Sequence, residues 1–334
     1  MSHSAQFNQE VNLKGKLPEQ ITTFWQQGLF NSFLGTDEVS IHYAQFIQQE
    51  AERPTIVIVP GRCESYLKYQ ELTFDLYQQG YSIFIIDHRG QGLSGRLLTN
   101  LNKGYVVKFQ HYVEDLRYFI ENIVTQHCSD KPYLLAHSMG AAIATRFMQD
   151  SSNAIKAAVI SSPMLGFNSG LLPTAIAEMM IAVKLALNNL ISNNPWYFFA
   201  QKDYSPVSFD HNRLTHSVQR YQIFINLYKN NKSIQLGGVT SHWLAEGIAA
   251  QKQIFTQLAQ LKTPILLLQA GDDIVVCQRA QDDFCQQLHA LQPQSCPKGI
   301  PSRLDGALHE LFFEVDDYRN SALNQSLAWF KQHK

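Results

Sequence analysis

Apolar residues along the chain fall into two rhythms. Short unbroken apolar runs at 55–59, 81–86, 157–160 and 264–268, with another leading into Ser138, read as strands buried on both faces. Between them the spacing turns helical. Phe109, Tyr112, Val113, Leu116, Ile120, Ile123 and Val124 recur as one face of a helix, and 69–79 reads as another, closed by Gly80 as its C-cap. Near the start, 30–34 and 39–46 flank Gly35-Thr36-Asp37 and predict an antiparallel hairpin behind a polar N-terminal segment. Strands alternating with helices specify a mostly parallel central sheet flanked by helices on both faces, an α/β fold.

From about 163 to 245 this rhythm breaks. No strand-like run occurs there; Leu172, Ile176, Met179, Met180, Val183, Leu187 and Leu190 mark an amphipathic helix, followed by the aromatic cluster Trp196-Tyr197-Phe198-Phe199. The expected organisation is one catalytic core, 1–163 and 246–334, interrupted by a helical cap at 164–245. Glu178 and Lys184 break the apolar run, so it reads as too short and too charged for a transmembrane segment. Packing on the core is the expected role of this helix. Peripheral membrane contact is the second reading, because a methionine-rich apolar face suits acyl chains.

Composition narrows the partners. The 334 residues carry 27 Lys plus Arg against 28 Asp plus Glu, a formal net charge of -1, so no global field recruits nucleic acid. Residues 1–10 lack a basic segment leading into an apolar stretch, which points away from a secretory signal and toward the cytoplasm. Cys63, Cys128, Cys277, Cys285 and Cys296 are odd in number and lack C-x-x-C spacing, so neither a disulfide framework nor a zinc site is expected.

The chemistry begins at Ala136-His137-Ser138-Met139-Gly140, where a strand-like run meets a serine between small residues and enters a helical pattern. This is the form of a nucleophile elbow, a strained strand-to-helix turn that lifts a serine hydroxyl clear of the backbone. Ala136 stands where the pattern usually has its first glycine. For the acid, Asp272 and Asp273 compete just past the 264–268 strand. Asp273 is preferred, with Asp305 a weaker candidate. For the base, His309 precedes the C-terminal helix, whereas His289 sits inside a helical stretch and His137 is expected to point away from the serine. Ser138, Asp273 and His309 stand in the serine, acid, histidine order of the α/β-hydrolases. In that fold the loop Pro60-Gly61-Arg62-Cys63-Glu64-Ser65 would give the Arg62 N–H to the oxyanion beside the Met139 N–H, leaving Cys63 a bystander.

Together with Asp87-His88-Arg89-Gly90-Gln91-Gly92-Leu93-Ser94-Gly95 and Gly306-Ala307-Leu308-His309-Glu310, these residues make the chain resemble the monoacylglycerol lipase and lysophospholipase L2 group, closer to bacterial lysophospholipase L2. The resemblance runs from about residue 54 onward; Pro60, where related lipases often have histidine, and Ala136 depart from it. It implies an α/β-hydrolase fold with an inserted cap, a scaffolding role for 87–95, and no metal or organic cofactor. It also implies removal of the acyl chain from a lysophospholipid through an acyl-serine, in the cytoplasm or at the inner face of the cell membrane. Monoacylglycerol lipase or general carboxylesterase activity is the alternative; an amidase or aminopeptidase and a catalytically silent binding module stand further off. Arg213 and Arg220 in the cap are within the range of residues that could approach a phosphate, although solvent or carboxylate pairing is the expected state of each.

Overall fold

The computed structural model describes residues 6–50, 52–168, 170 and 173–334; Leu172 of the cap pattern lies outside them. A short helix, α1 (Glu19–Gln26), precedes the hairpin of β1 (Leu29–Leu34) and β2 (Ser40–Phe46), paired antiparallel with Leu29 opposite Gln45. The alternation follows: β3 (Thr55–Val59), α2 (Gln70–Gln78), β4 (Ser82–Ile86), α3 (Phe109–Asn122), β5 (Tyr133–His137), α4 (Ser138–Asp150) and β6 (Ala158–Ser161). Three helices then come without an intervening strand among the described residues: α5 (Thr174–Ile191), α6 (Val218–Asn230) and α7 (Ser241–Thr256). The chain closes through β7 (Ile265–Ala270), α8 (Gln278–Leu291), β8 (Ser302–Leu304) and α9 (Asp316–Gln332).

The strands form one sheet in the order β1-β2-β4-β3-β5-β6-β7-β8, parallel from β4 to β8. Successive residues of β3 point to opposite faces, so Val57 and Val59 join a core under α3, α4, α7 and α8, while Ile56 and Ile58 join a second core under α1, α2 and α9. Burial on both sides is why these strands are unbroken apolar runs. β4 lies on one side of β3 and β5 on the other, which makes the β3–β5 edge the point where strand order reverses. In open α/β sheets, ligands bind at that point, beyond the carboxyl ends of the strands. Pro60-Gly61-Arg62 leaves β3 there, and Ser138 leaves β5.

Two elements differ from the sequence pattern. The segment read as merely polar contains α1, which buries Ile21, Phe24 and Trp25 on one face. β8 has three residues, Ser-Arg-Leu, of which only Leu304 is buried, so hydropathy gives no strand signal.

The cap helices divide by what they touch. α7 packs on α3 and α4, so position 245 falls inside a helix that belongs partly to the core. α5 leans on α7 and is tied to it by Glu178 with Lys252 at 2.6 Å, but buries only Ile181 and Asn188. Ile176, Met179, Met180, Val183, Leu187, Leu190 and Ile191 are exposed, so core packing accounts for one edge of this helix and not for its apolar face. By length and composition alone its 18 residues, mean hydropathy 1.4, are apolar enough to cross a membrane despite Glu178 and Lys184.

Candidate active site

β5 runs into α4 without a loop, and Ser138, at φ 51°, makes the turn in the left-handed region. Neighbouring backbone dictates the residues around it. A Cβ on Gly140 would lie 2.3 Å from both the Val59 and Pro60 carbonyl oxygens, so only glycine lets α4 approach the end of β3. Ala136 is fully buried between its strand partners Val59 and Ile160 with its methyl accommodated, which explains why the first glycine of the pattern is dispensable. Met139 stands in the first turn of α4, where N–H groups have no acceptor within the helix.

Asp273 follows the end of β7, and His309 lies in the loop after β8. Asp273 Oδ1 accepts the N–H of Val275 at 2.7 Å and of Val276 at 3.3 Å. Its Oδ2 is 2.7 Å from His309 Nδ1, and His309 Nε2 is 3.0 Å from Ser138 Oγ. Burial pushes the Asp273 carboxyl up, but the His309 ring and the two backbone donors outweigh it and hold the group below its ordinary value. An ionised Asp273 fixes the neutral imidazole with its proton on Nδ1. Nε2 is then free to accept from the serine hydroxyl.

The competing candidates lie elsewhere. Asp272 is exposed, Asp305 pairs with Arg303 at the surface, and His289 Nδ1 meets the Cys296 carbonyl. Neither Asp272 nor Asp273 caps α8, whose N-cap is Cys277. The buried ring of His137 packs 4.8 Å from that of His309, and burial pulls it down to about 3, so it stays neutral beside that ring. Cys63 is likewise kept as a thiol, because burial pushes it up.

The loop after β3 lies against the elbow: a Cβ on Gly61 would come 3.3 Å from Ser138 Cβ. Its shape is set by side chains. The Gly61 N–H donates to Glu64, while Gln91 donates to the Gly61 and Glu64 carbonyls at 2.7 and 3.0 Å and accepts the Cys63 N–H at 3.2 Å. His88 Nε2 lies 3.0 Å from the Pro60 carbonyl, and Asp87 accepts from Ser65, Tyr66 and Leu93. Segment 87–95 therefore braces this loop. The Arg62 N–H has no acceptor among the described residues.

Lys68 links this loop to the histidine. Its ammonium is 2.7 Å from Glu64 and 2.7 Å from Glu310, the neighbour of His309, with all three side chains buried. Two carboxylates share one cation, and they respond in opposite directions. Burial works against Glu64, but Lys68 and His137 together with the Lys68 and Tyr69 hydrogen bonds hold it down to about 2, whereas burial pushes Glu310 up. Lys68→Met is expected to cost about 3–5 kcal/mol near neutral pH by leaving buried carboxylates unpaired. Because the folded Glu64 is depressed, its stabilisation is present above the unfolded value and lost as pH falls toward its folded value. The deficit of the variant therefore narrows as pH falls: its unpaired carboxyls, pushed up by burial, protonate first, and below about pH 4 the wild type also loses the Glu64 contribution. Urea unfolding at several pH values checks this.

Glu64, Lys68, Gln91 and Glu310 were not read from the sequence as supports of the site. Motif 87–95 marked the region, but which side chain braces which carbonyl depends on the fold. Arg220 is buried against Glu71 and Asp316 and unable to approach a phosphate, while Arg213 is exposed. A groove of about 720 Å³ begins at Leu165, Gly166 and Phe167, beside the Met164 N–H that donates to the Ser138 carbonyl, and continues between α5, α7 and α8 past Ile181 and Phe255. A second cavity of about 420 Å³ lies between α6 and the start of α2; neither space has Ser138 or His309 in its lining, but the groove starts next to the residue bonded to the Ser138 carbonyl.

A strained serine at the sheet's switch point, followed by an acid and a histidine from later strand ends, matches a known group. Residues 50–316 fit the family model described as serine aminopeptidase, S33. The chain belongs to this family of α/β-hydrolases. It is 37% identical to Lysophospholipase L2 of Escherichia coli over 94% of the chain and 90% of that protein. It is 32% identical to Probable lysophospholipase L2 of Haemophilus influenzae over 91% and 92% respectively. Among solved structures, a soluble variant of monoglyceride lipase from Saccharomyces cerevisiae superposes with a TM-score of 0.65, covering 92% of this chain and 97% of that one at 16% identity, a likeness of fold. The chain is a serine hydrolase of the α/β-hydrolase fold with relatives that process lipids.

Proposed function

We propose that the protein is a carboxylic-ester hydrolase that removes the acyl chain from lysophospholipids, with Ser138 as nucleophile, His309 as base and Asp273 as the residue orienting the imidazole. The observation that carries this reading is the hydrogen-bonded line from Asp273 through His309 to Ser138. As the Ser138 hydroxyl attacks the ester carbonyl, its proton passes to His309 Nε2. The Arg62 and Met139 N–H groups receive the oxyanion. His309 returns the proton to the leaving glycerol oxygen, and a water activated by the same ring then releases the fatty acid.

The groove of about 720 Å³ lies within the range of ligand pockets and is the proposed acyl site, covered by a cap of residues 164–245. The outward apolar face of α5 is the proposed lipid contact, a peripheral association at the inner face of the cell membrane. The five free cysteines fit a cytoplasmic setting. The family model is named for an aminopeptidase, but the carboxylates described beside the site are already engaged: Glu64 and Glu310 hold Lys68, and Asp273 holds His309. Side-by-side hydrolysis of lysophosphatidylethanolamine, lysophosphatidylcholine, monoacylglycerol, a short soluble ester and an aminoacyl amide tests the reading. Lysophospholipid turnover should lead, and preference for the amide would overturn it.

A further inference from the structure

Arg62 has a side chain that the chemistry above leaves unused. Its guanidinium lies 5.4 Å from the centre of the Trp243 ring, with Nη1 3.0 Å from Cys63 Sγ and Nη2 donating to the Gly237 carbonyl of the cap. Nε is closed off from solvent and has no partner. The contrast with other arginines is direct. Arg89, Arg146, Arg220 and Arg319, all buried, each pair with a carboxylate, and Arg96 donates to the carbonyls of Gly90, Gly92, Ser233 and Gln235. Among the described residues, Arg62 makes no ion pair and keeps a shielded N–H idle. Arg62 as a whole is half-buried, and a guanidinium that faces no carboxylate and has a donor left over suits a phosphate, which takes two parallel N–H groups from one guanidinium.

We propose that the Arg62 side chain is the subsite for the phosphate of the substrate and favours a glycerophosphate ester over a neutral monoacylglycerol. This rests on the ester-hydrolase reading and names its head-group determinant. In a glycerophospholipid acylated on the terminal carbon, the carbonyl carbon and the phosphorus are separated by as many bonds as the Arg62 backbone nitrogen and its Cζ. The proposal gives one residue both ends of the substrate, its main-chain N–H at the oxyanion and its guanidinium at the phosphate. Trp243 at its face limits water around the pair, which strengthens the charge-assisted hydrogen bonds.

The test is the ratio of kcat/KM for palmitoyl lysophosphatidylethanolamine to that for monopalmitoylglycerol in wild type, Arg62→Met, Arg62→Lys and Arg213→Ala. The ratio should fall about 10- to 100-fold in Arg62→Met, chiefly through KM for the phosphate ester. Arg62→Lys should recover only part of it, since the charge returns without the fork. Arg213→Ala should keep the wild-type ratio. Inorganic phosphate should slow fluorophosphonate labelling of wild type and not of Arg62→Met. A ratio unchanged in Arg62→Met overturns the subsite, including the outcome in which both rates fall equally because Arg62 only latches the cap through Gly237. A wild type that turns over neither ester would instead defeat the ester reading itself.

Discussion

Ser138→Ala is expected to lower lysophospholipid turnover by about four to six orders of magnitude, with little change in the stability of the fold. The Ser138 hydroxyl is the proposed nucleophile, and its loss leaves His309 without a proton to accept. Residual rate should come from the N–H groups of Arg62 and Met139 acting on water attack. Folding should survive because Ser138 owes its φ of 51° to the β5–α4 turn and to the close approach of Gly140 to Val59 and Pro60, not to its Oγ. An alanine holds that backbone as a serine does. Initial rates on a lysophospholipid beside a thermal melt separate the two effects, and near-normal turnover in the variant would sink the assignment.

Asp273→Asn should cost about 10³- to 10⁴-fold in kcat while KM changes little. The carboxylate now accepts from His309 Nδ1 at 2.7 Å and from the Val275 and Val276 N–H groups. In asparagine the carbonyl oxygen can keep the two backbone donors, which leaves the amide NH₂ facing His309. That arrangement favours the tautomer with its proton on Nε2, and such a ring donates to Ser138 instead of accepting from it. The same change removes the negative charge that stabilises the imidazolium formed during attack. Proton NMR of the ring and the kcat of the variant check the argument; a loss of tenfold or less would mean that another group orients His309.

How much of this could be read from residues alone follows from what each element depends on. β3 and β4 are buried on both faces, so hydropathy by itself marks them. The elbow is visible because its backbone demands small residues, although only Gly140 meets that demand strictly and Ala136 shows that the other position is looser. Asp273 stood out over Asp305 by its place past a strand end, whereas burial in the fold is what separates it from the exposed Asp272. β8 was unreadable because a three-residue edge strand with one buried side chain has no period, and α1 because one apolar face within eight residues was masked by polar neighbours. The braces Glu64, Lys68, Gln91 and Glu310 come from three distant loops, and their roles exist only once the sheet brings those loops to one end. The outward apolar face of α5 is a similar lesson: its periodicity announced a helix, but not that the core would leave most of that face uncovered.

An acyl group is expected to pass through Ser138. The direct measurement is to mix protein with a palmitoyl lysophospholipid, quench in acid within the first turnovers, and map the acylated peptide by mass spectrometry, using Asp273→Asn if deacylation in wild type is too fast. One acyl group should appear on the peptide containing Ser138, and none in Ser138→Ala. Acyl transfer to another residue such as Cys63, or turnover with no acyl-protein at any quench time, would contradict it.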